Sequence, residues 1–142
     1  FKLTREFLSE DITAKDFEDS LVIFDDTNCI TDKYVKVKVN GILNSLLETG
    51  RHFNSSVVYT SHAACNGNDT KKILNECHSI TLFCNGLGGR SLKYLLDQYL
   101  GLDKEQIRRI KKLDSRWVTI VKSYPMIVLS EKEAYVLNPK DD

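Results

Sequence analysis

The sequence predicts an α/β protein whose sheet is mostly parallel, with a short β-rich C-terminal end. Three observations lead there. Ser20-Leu21-Val22-Ile23-Phe24 is a strand-length, almost wholly apolar run that stops at Asp25-Asp26. That is the pattern of a strand buried in a parallel sheet that delivers acids to the sheet's edge. One helical segment later a second β-branched and aromatic run, Ser56-Val57-Val58-Tyr59-Thr60, ends in the polar cluster Thr60-Ser61-His62. Helical segments and short strands keep alternating thereafter, and such alternation builds α/β sheets.

Taken in order, Phe1 to Asp19 is polar and acidic with scattered apolar anchors, and reads as one or two short helices. After the acid-ended strand, Thr27 to Asp32 forms a loop, and Asp32 caps a helix running to about Thr49. Val35, Val39, Ile42, Leu43 and Leu46 share one face at helical spacing. Gly50 stands where a helix C-terminus favours a left-handed residue. A loop over residues 63–68 leads to a short helix from Asp69 to Cys77, and Ile80 to Cys84 gives a third strand. A glycine-rich turn at Gly86 to Ser91 opens a helix with Leu92, Leu95, Leu96 and Tyr99 on its apolar face, stopped by Gly101. Asp103 caps a further helix bearing Lys104, Arg108, Arg109, Lys111 and Lys112. Arg116 to Val121, Met126 to Leu129 and Ala134 to Leu137 read as three strands, the last two joined by a turn around Glu131 to Glu133.

At 142 residues the chain fits one domain with a sizeable core. Its formal net charge is zero, so the whole-chain field argues for neither a nucleic-acid nor a membrane partner, although a local basic patch stays open. Cys29, Cys65, Cys77 and Cys84 form no CxxC pair and no metal-finger spacing, and read as reduced thiols of an intracellular protein. No stretch is apolar enough to span a bilayer. The chain begins at Phe1 rather than Met, so it is expected to be part of something longer.

Paired acids at a strand end suit a Mg²⁺-nucleotide site, one holding the metal-bound water and its neighbour activating the attacking water; equally, such an Asp caps or turns. Arg51, just before the second strand, is placed to neutralise charge on a transferred phosphoryl group, or is a solvated arginine after a helix end. His62 is a candidate to sense phosphate or position water, or a hydrogen-bonded loop residue. The turn at Gly86 to Ser91 lacks the GxxxxGK[ST] spacing of a phosphate loop. Ser115-Arg116-Trp117 offers a second arginine candidate beside a buried tryptophan. Residues 104–112 and the loop 63–69 are candidates for nucleic-acid contact, the former against a plain solvated face.

Together, Leu21 to Asp26, the element Gly50-Arg51-His52 and the strand Val57 to His62 resemble the central part of the FtsK/HerA group of P-loop ATPases. The likeness is greatest to the genome-packaging ATPases of large double-stranded DNA viruses, the poxvirus-like kind. The resemblance implies a three-layer, mostly parallel P-loop (ASCE) fold over residues 1–142, lacking the Walker A strand and forming the C-terminal part of a longer ATPase. It implies that Asp25 is the Walker B acid that holds Mg²⁺ through water, and that Asp26 activates the attacking water. Arg51 is implied to stabilise transferred charge from its own or the next subunit, and Ser61 and His62 to stand near the nucleotide. His62 departs from the sensor glutamine of relatives. ATP and Mg²⁺ are the implied cofactors, and double-stranded DNA, a homo-oligomeric ring and other virion assembly proteins the implied partners. The setting implied is a cytoplasmic virus factory or a virion. The rival readings are a non-catalytic adaptor derived from the same fold, whose acids pair with Lys or Arg, and a response-regulator-like domain, which lacks its further aspartate because Cys84 ends the third strand.

Overall fold

The structure, a computed structural model, describes residues 3, 6–62, 68–84 and 89–137. Contacts divide the chain into two compact units, Phe1–Ala63 and Ala64–Asp142.

The first unit opens with two 3₁₀ turns, Glu6–Ser9 and Ala14–Phe17, followed by β1 (Leu21–Phe24), a turn at Thr27–Cys29, α1 (Lys33–Thr49), a turn at Gly50–Phe53 and β2 (Ser56–Tyr59). The start of α1 is fixed by Asp32, whose carboxylate accepts the N–H groups of Tyr34 at 2.8 Å and Val35 at 3.1 Å, two donors the helix itself cannot satisfy. Val35, Val39, Leu43 and Leu46 recur on one side of α1 and are buried, as are Phe7 and Ala14 from the N-terminal turns. Lys38 ties these parts together: its ammonium donates to the carbonyls of Phe7 and Glu10 and lies 4.8 Å from the centroid of the Phe7 ring.

β1 and β2 pair in parallel, from Leu21 opposite Ser56 to Phe24 opposite Tyr59. At their amino ends Asp19 and Asn54 both take positive φ, 54° and 52°. Short polar side chains tolerate that conformation best, and here the Asn54 amide donates to the Asp19 carboxylate at 2.7 Å. Two local expectations change. Gly50 is right-handed (φ −54°), because the chain continues from α1 into the Gly50–Phe53 turn and Asn54 takes the left-handed position instead. The apolar run of β1 is not buried throughout: Phe24 is, whereas Leu21 and Ile23 are about 60% exposed, and Val58, opposite Ile23, is 42% exposed.

The second unit comprises α2 (Asn68–Glu76), β3 (Ser79–Leu82), α3 (Gly89–Tyr94) widening into a π turn at Leu95–Tyr99, α4 (Lys104–Lys111), β4 (Val118–Val121), β5 (Met126–Ser130) and β6 (Ala134–Leu137). Its sheet runs β3-β4-β5-β6 and every pairing in it is antiparallel. The mostly parallel sheet expected from strand-helix alternation is therefore confined, among the described residues, to β1 and β2; alternation reveals that strands exist, not which neighbour they choose. Leu95, Leu96, Ile110, Val118, Ile120 and Val128 are essentially fully buried and form the centre of this unit's core. Gly101, at φ 64°, turns the chain so that the Leu102 N–H reaches the Leu96 carbonyl at 3.0 Å. Asp103 then caps α4, accepting from Glu105 and Gln106 while Gln106 reaches back to the Asp103 N–H. No helix among the described residues is long and apolar enough to cross a membrane.

Candidate functional site

Because β1 and β2 are parallel and in register, the residues that follow them emerge side by side. The Thr60 N–H closes the ladder onto the Phe24 carbonyl at 3.0 Å, which sets Thr60 beside Asp25. The Thr60 hydroxyl donates to Asp25 Oδ1 at 2.5 Å and accepts the Asp26 N–H at 3.2 Å, so one side chain of β2's end holds both acids of β1's end. Asp26 is left-handed (φ 47°, ψ 39°). That conformation costs about 1 kcal/mol for a residue with a Cβ, and it is held by the Thr60 bond on one side and the Cys29 N–H on the Asp26 carbonyl, 3.0 Å, on the other. A strained residue over-determined by its neighbours is a recurrent feature of binding and catalytic sites.

The Asp26 carboxylate gathers two more groups. The Cys29 thiol donates to Oδ2 at 3.0 Å, and His62 Nε2 lies 3.7 Å from the same oxygen, an ion pair when the imidazole is protonated. Next to them the Asn28 amide donates to the Ser61 hydroxyl at 3.0 Å, a second tie between the two strand ends. Hydrogen bonding to Asp26, and then its charge, raise the Cys29 thiol above its ordinary value, so Cys29 is a protonated donor rather than a nucleophile. The cluster is open: the Asp25 side of it is exposed, Asp26 keeps 37% of its side-chain surface and His62 keeps 92%.

Among the described residues no group of three or more His, Cys, Asp or Glu side chains converges as a metal cage. Mg²⁺ bound with a nucleotide does not require one, since it keeps several waters and takes one or two carboxylates together with substrate phosphates. Two adjacent carboxylates, one with an oxygen already oriented by a hydroxyl, suit that role.

Of the residues singled out from the sequence, the structure thus brings together Asp25, Asp26, Ser61 and His62. Arg51 stands apart. It lies exposed in the Gly50–Phe53 turn, at the amino end of β2, whereas the acids lie at the carboxyl end of β1, about 13 Å of strand away. Within one chain Arg51 and the acid pair therefore face different ends of the same parallel pair. Arg116 is engaged elsewhere: its Nε and its backbone N–H both donate to Glu131, at 3.0 and 3.1 Å, and Trp117 beside it is half-buried rather than buried. His52 shares the Arg51 turn and so stands at the other end from His62. Residues 63–67, with Cys65, and residues 85–88 of the glycine-rich turn lie outside the described residues; Gly89, Arg90 and Ser91 open α3.

The chain is similar to "Uncharacterized protein V3" of Sputnik virophage, with 42% identity over 126 residues. The match takes in 87% of this chain and 51% of that protein, so the chain spans about half the length of its relative. The relative is a viral protein. No family model matches the chain, and no solved structure matches it.

Sequence reasoning placed Thr60 in the polar cluster that ends the second strand but gave it no role, and it missed Asn28 and Cys29 as parts of the site. The role of Thr60 was legible in principle: once the two runs are paired in parallel with Phe24 opposite Tyr59, the next residues, Asp25 and Thr60, are forced to be neighbours. Asn28 and Cys29 depend on the sharp reversal at Asp26, and no motif announces that turn.

Proposed function

We propose that this chain is the acid-bearing part of a P-loop ATPase of the FtsK/HerA type, a motor that moves double-stranded DNA during viral genome packaging. The observation that carries the reading is the meeting of Asp25 and Asp26 with Thr60, Ser61 and His62 at the carboxyl ends of a parallel strand pair, the place where open α/β sheets bind ligands. The viral relative supports the setting. Bound Mg²⁺ and ATP would supply the phosphoryl group and the charge that polarises it. In this reading Asp25 would hold the Mg²⁺ through water, with Thr60 fixing one of the carboxylate oxygens. Asp26 accepts a proton from the attacking water, and His62, on the same carboxylate, positions that water. Arg51, at the opposite end of the pair, serves the nucleotide of a neighbouring subunit, which calls for a ring.

The phosphate loop would come from chain outside these 142 residues, and the relative is about twice as long as the stretch matched here. Leu21, Ile23 and Val58, exposed on one face of the β1–β2 pair, would pack beneath that added segment. The adaptor reading expects the acids to be neutralised by Lys or Arg. Among the described residues Asp25 and Asp26 instead engage a hydroxyl, a thiol and an imidazole.

The test is Asp26→Asn in a protein of the relative's length. Turnover is expected to fall by about 10²–10⁴-fold, the usual contribution of a positioned general base, with Mg·ATP binding retained. Unchanged turnover would sink the assignment.

A further inference from the structure

We infer that the solvent face of α4 is a phosphate-binding surface for double-helical nucleic acid. The zero net charge of the chain hides an asymmetry: residues 1–63 hold seven Lys and Arg against ten Asp and Glu, whereas residues 64–142 hold thirteen against ten. Much of the basic excess sits on one helix. At 3.6 residues per turn, Lys104, Arg108, Lys111 and Lys112 fall within an arc of about 100° and span about 12 Å of helix axis. All four are exposed, and none of them makes an ion pair among the described residues. Glu105 lies at the border of the arc. Arg109 is turned out of it, its guanidinium 3.5 Å from the centroid of the Tyr135 ring and 3.9 Å from Glu133, so it holds the helix to β6.

Four unpaired cations in one line have a cost in mutual repulsion and no return inside this unit. The other cations near by are used differently: Arg116 is bound to Glu131, and Lys132 to Asp114. What the stripe fits is a polyanion with regularly spaced charge, and a duplex carries one negative charge per about 1.7 Å of axis. A membrane surface fits poorly. An interfacial helix sets apolar residues against the acyl chains, but the apolar residues of α4, Ile107 and Ile110, are buried in the core and its exposed positions are charged. The choice of a duplex over a single strand rests on the translocase reading; the phosphate chemistry does not.

The inference is tested by fluorescence anisotropy with a labelled mixed-sequence DNA duplex and this chain, without nucleotide, between about 50 and 200 mM salt. Four phosphate contacts predict a slope of log K against log[salt] of about −3 to −4, hence about a hundred-fold loss over that range. The double substitution Arg108→Glu with Lys112→Glu is expected to remove about two units of slope. Arg108→Gln with Lys112→Gln, which introduces no new charge, is expected to remove about as much and covers the case in which the reversal disturbs folding, checked by circular dichroism. Lys33→Glu with Lys36→Glu on α1 makes the same change of net charge elsewhere and is expected to leave the slope alone. Absence of salt-dependent binding, equal loss in the α1 control, or tighter binding to the single strand of the same sequence would overturn the inference. Turnover does not enter, so an inactive longer protein would count against the translocase reading and leave the phosphate-binding surface standing.

Discussion

Replacing Thr60 by Val removes a hydroxyl while keeping the branched shape that suits the end of a strand. That hydroxyl donates to Asp25 at 2.5 Å and accepts the Asp26 N–H at 3.2 Å. A hydrogen bond to a charged group contributes about 1.5–3 kcal/mol, and exposure of Asp25 to water puts this one at the lower end. About 1.5 kcal/mol is close to ten-fold in affinity. In a protein of the relative's length, calorimetric titration with Mg·ATP is therefore expected to show Kd raised about ten-fold by Thr60→Val, with the far-ultraviolet dichroism unchanged. The mechanism is tested by combining it with Asp25→Asn. If Thr60 acts by aiming Asp25, Thr60→Val adds nothing to the loss already caused by Asp25→Asn, beyond the few tenths of a kcal/mol by which independent sites deviate from additivity. Full additivity of the two, or an unchanged Kd, would refute the role given to Thr60.

Three further outcomes are expected. Asp26→Asn removes the negative charge, and with it the charge-assisted character of the hydrogen bond, that raise the Cys29 thiol, so Cys29 should alkylate faster with iodoacetamide near pH 8, while Cys77 and Cys84, raised first by burial, keep their rates; peptide mass mapping reads all three. The carboxyl of Glu131 is held below its ordinary value, first by the Arg116 N–H, so the stability it contributes is present above the ordinary carboxylate range and is lost as pH falls through the lowered value. Urea unfolding from pH 6 down to about 3 should be less pH-dependent in Glu131→Gln than in the parent chain. Mixing Arg51→Ala subunits with Asp26→Asn subunits of the longer protein, each inactive alone, should restore part of the ATPase rate if Arg51 serves a neighbour; a mixture as inactive as its components would return Arg51 to a structural role.

Local signals in the sequence were strong where one side chain decides an outcome. Asp32 and Asp103 cap the helices that follow them, Gly101 ends the helix before it, and the three C-terminal strands lie where β-branched runs place them. Signals failed where the answer depends on a partner distant in sequence. The run Leu21 to Phe24 is apolar at every position, so its composition cannot tell a strand covered on both faces from one with Leu21 and Ile23 exposed. Nor does β3 announce an antiparallel neighbour, since β4 returns to it after two intervening helices. At the site the acids were legible as an acid-ended strand, but the reversal at Asp26 was not. Glycine would have marked a positive φ there; an aspartate in that conformation leaves no trace in the sequence.

A parallel strand pair has two chemically different ends, and this imposes a constraint that no surface loop can evade. In register, everything that follows β1 and β2 gathers at one end, which is where Asp25, Asp26, Thr60, Ser61 and His62 meet. Everything that precedes the strands gathers at the other, which is where Asp19, Asn54 and the Arg51 turn meet. Moving Arg51 to the acids of its own chain would mean unpairing β2 from β1, which would also break the Thr60 bonds that aim the acids. Under the translocase reading, then, the fold that orients the acids is the same fold that denies them their own arginine. Cooperation between these two groups belongs between subunits, and an assembly that brings one protomer's strand starts to the next protomer's strand ends is the geometry the reading requires.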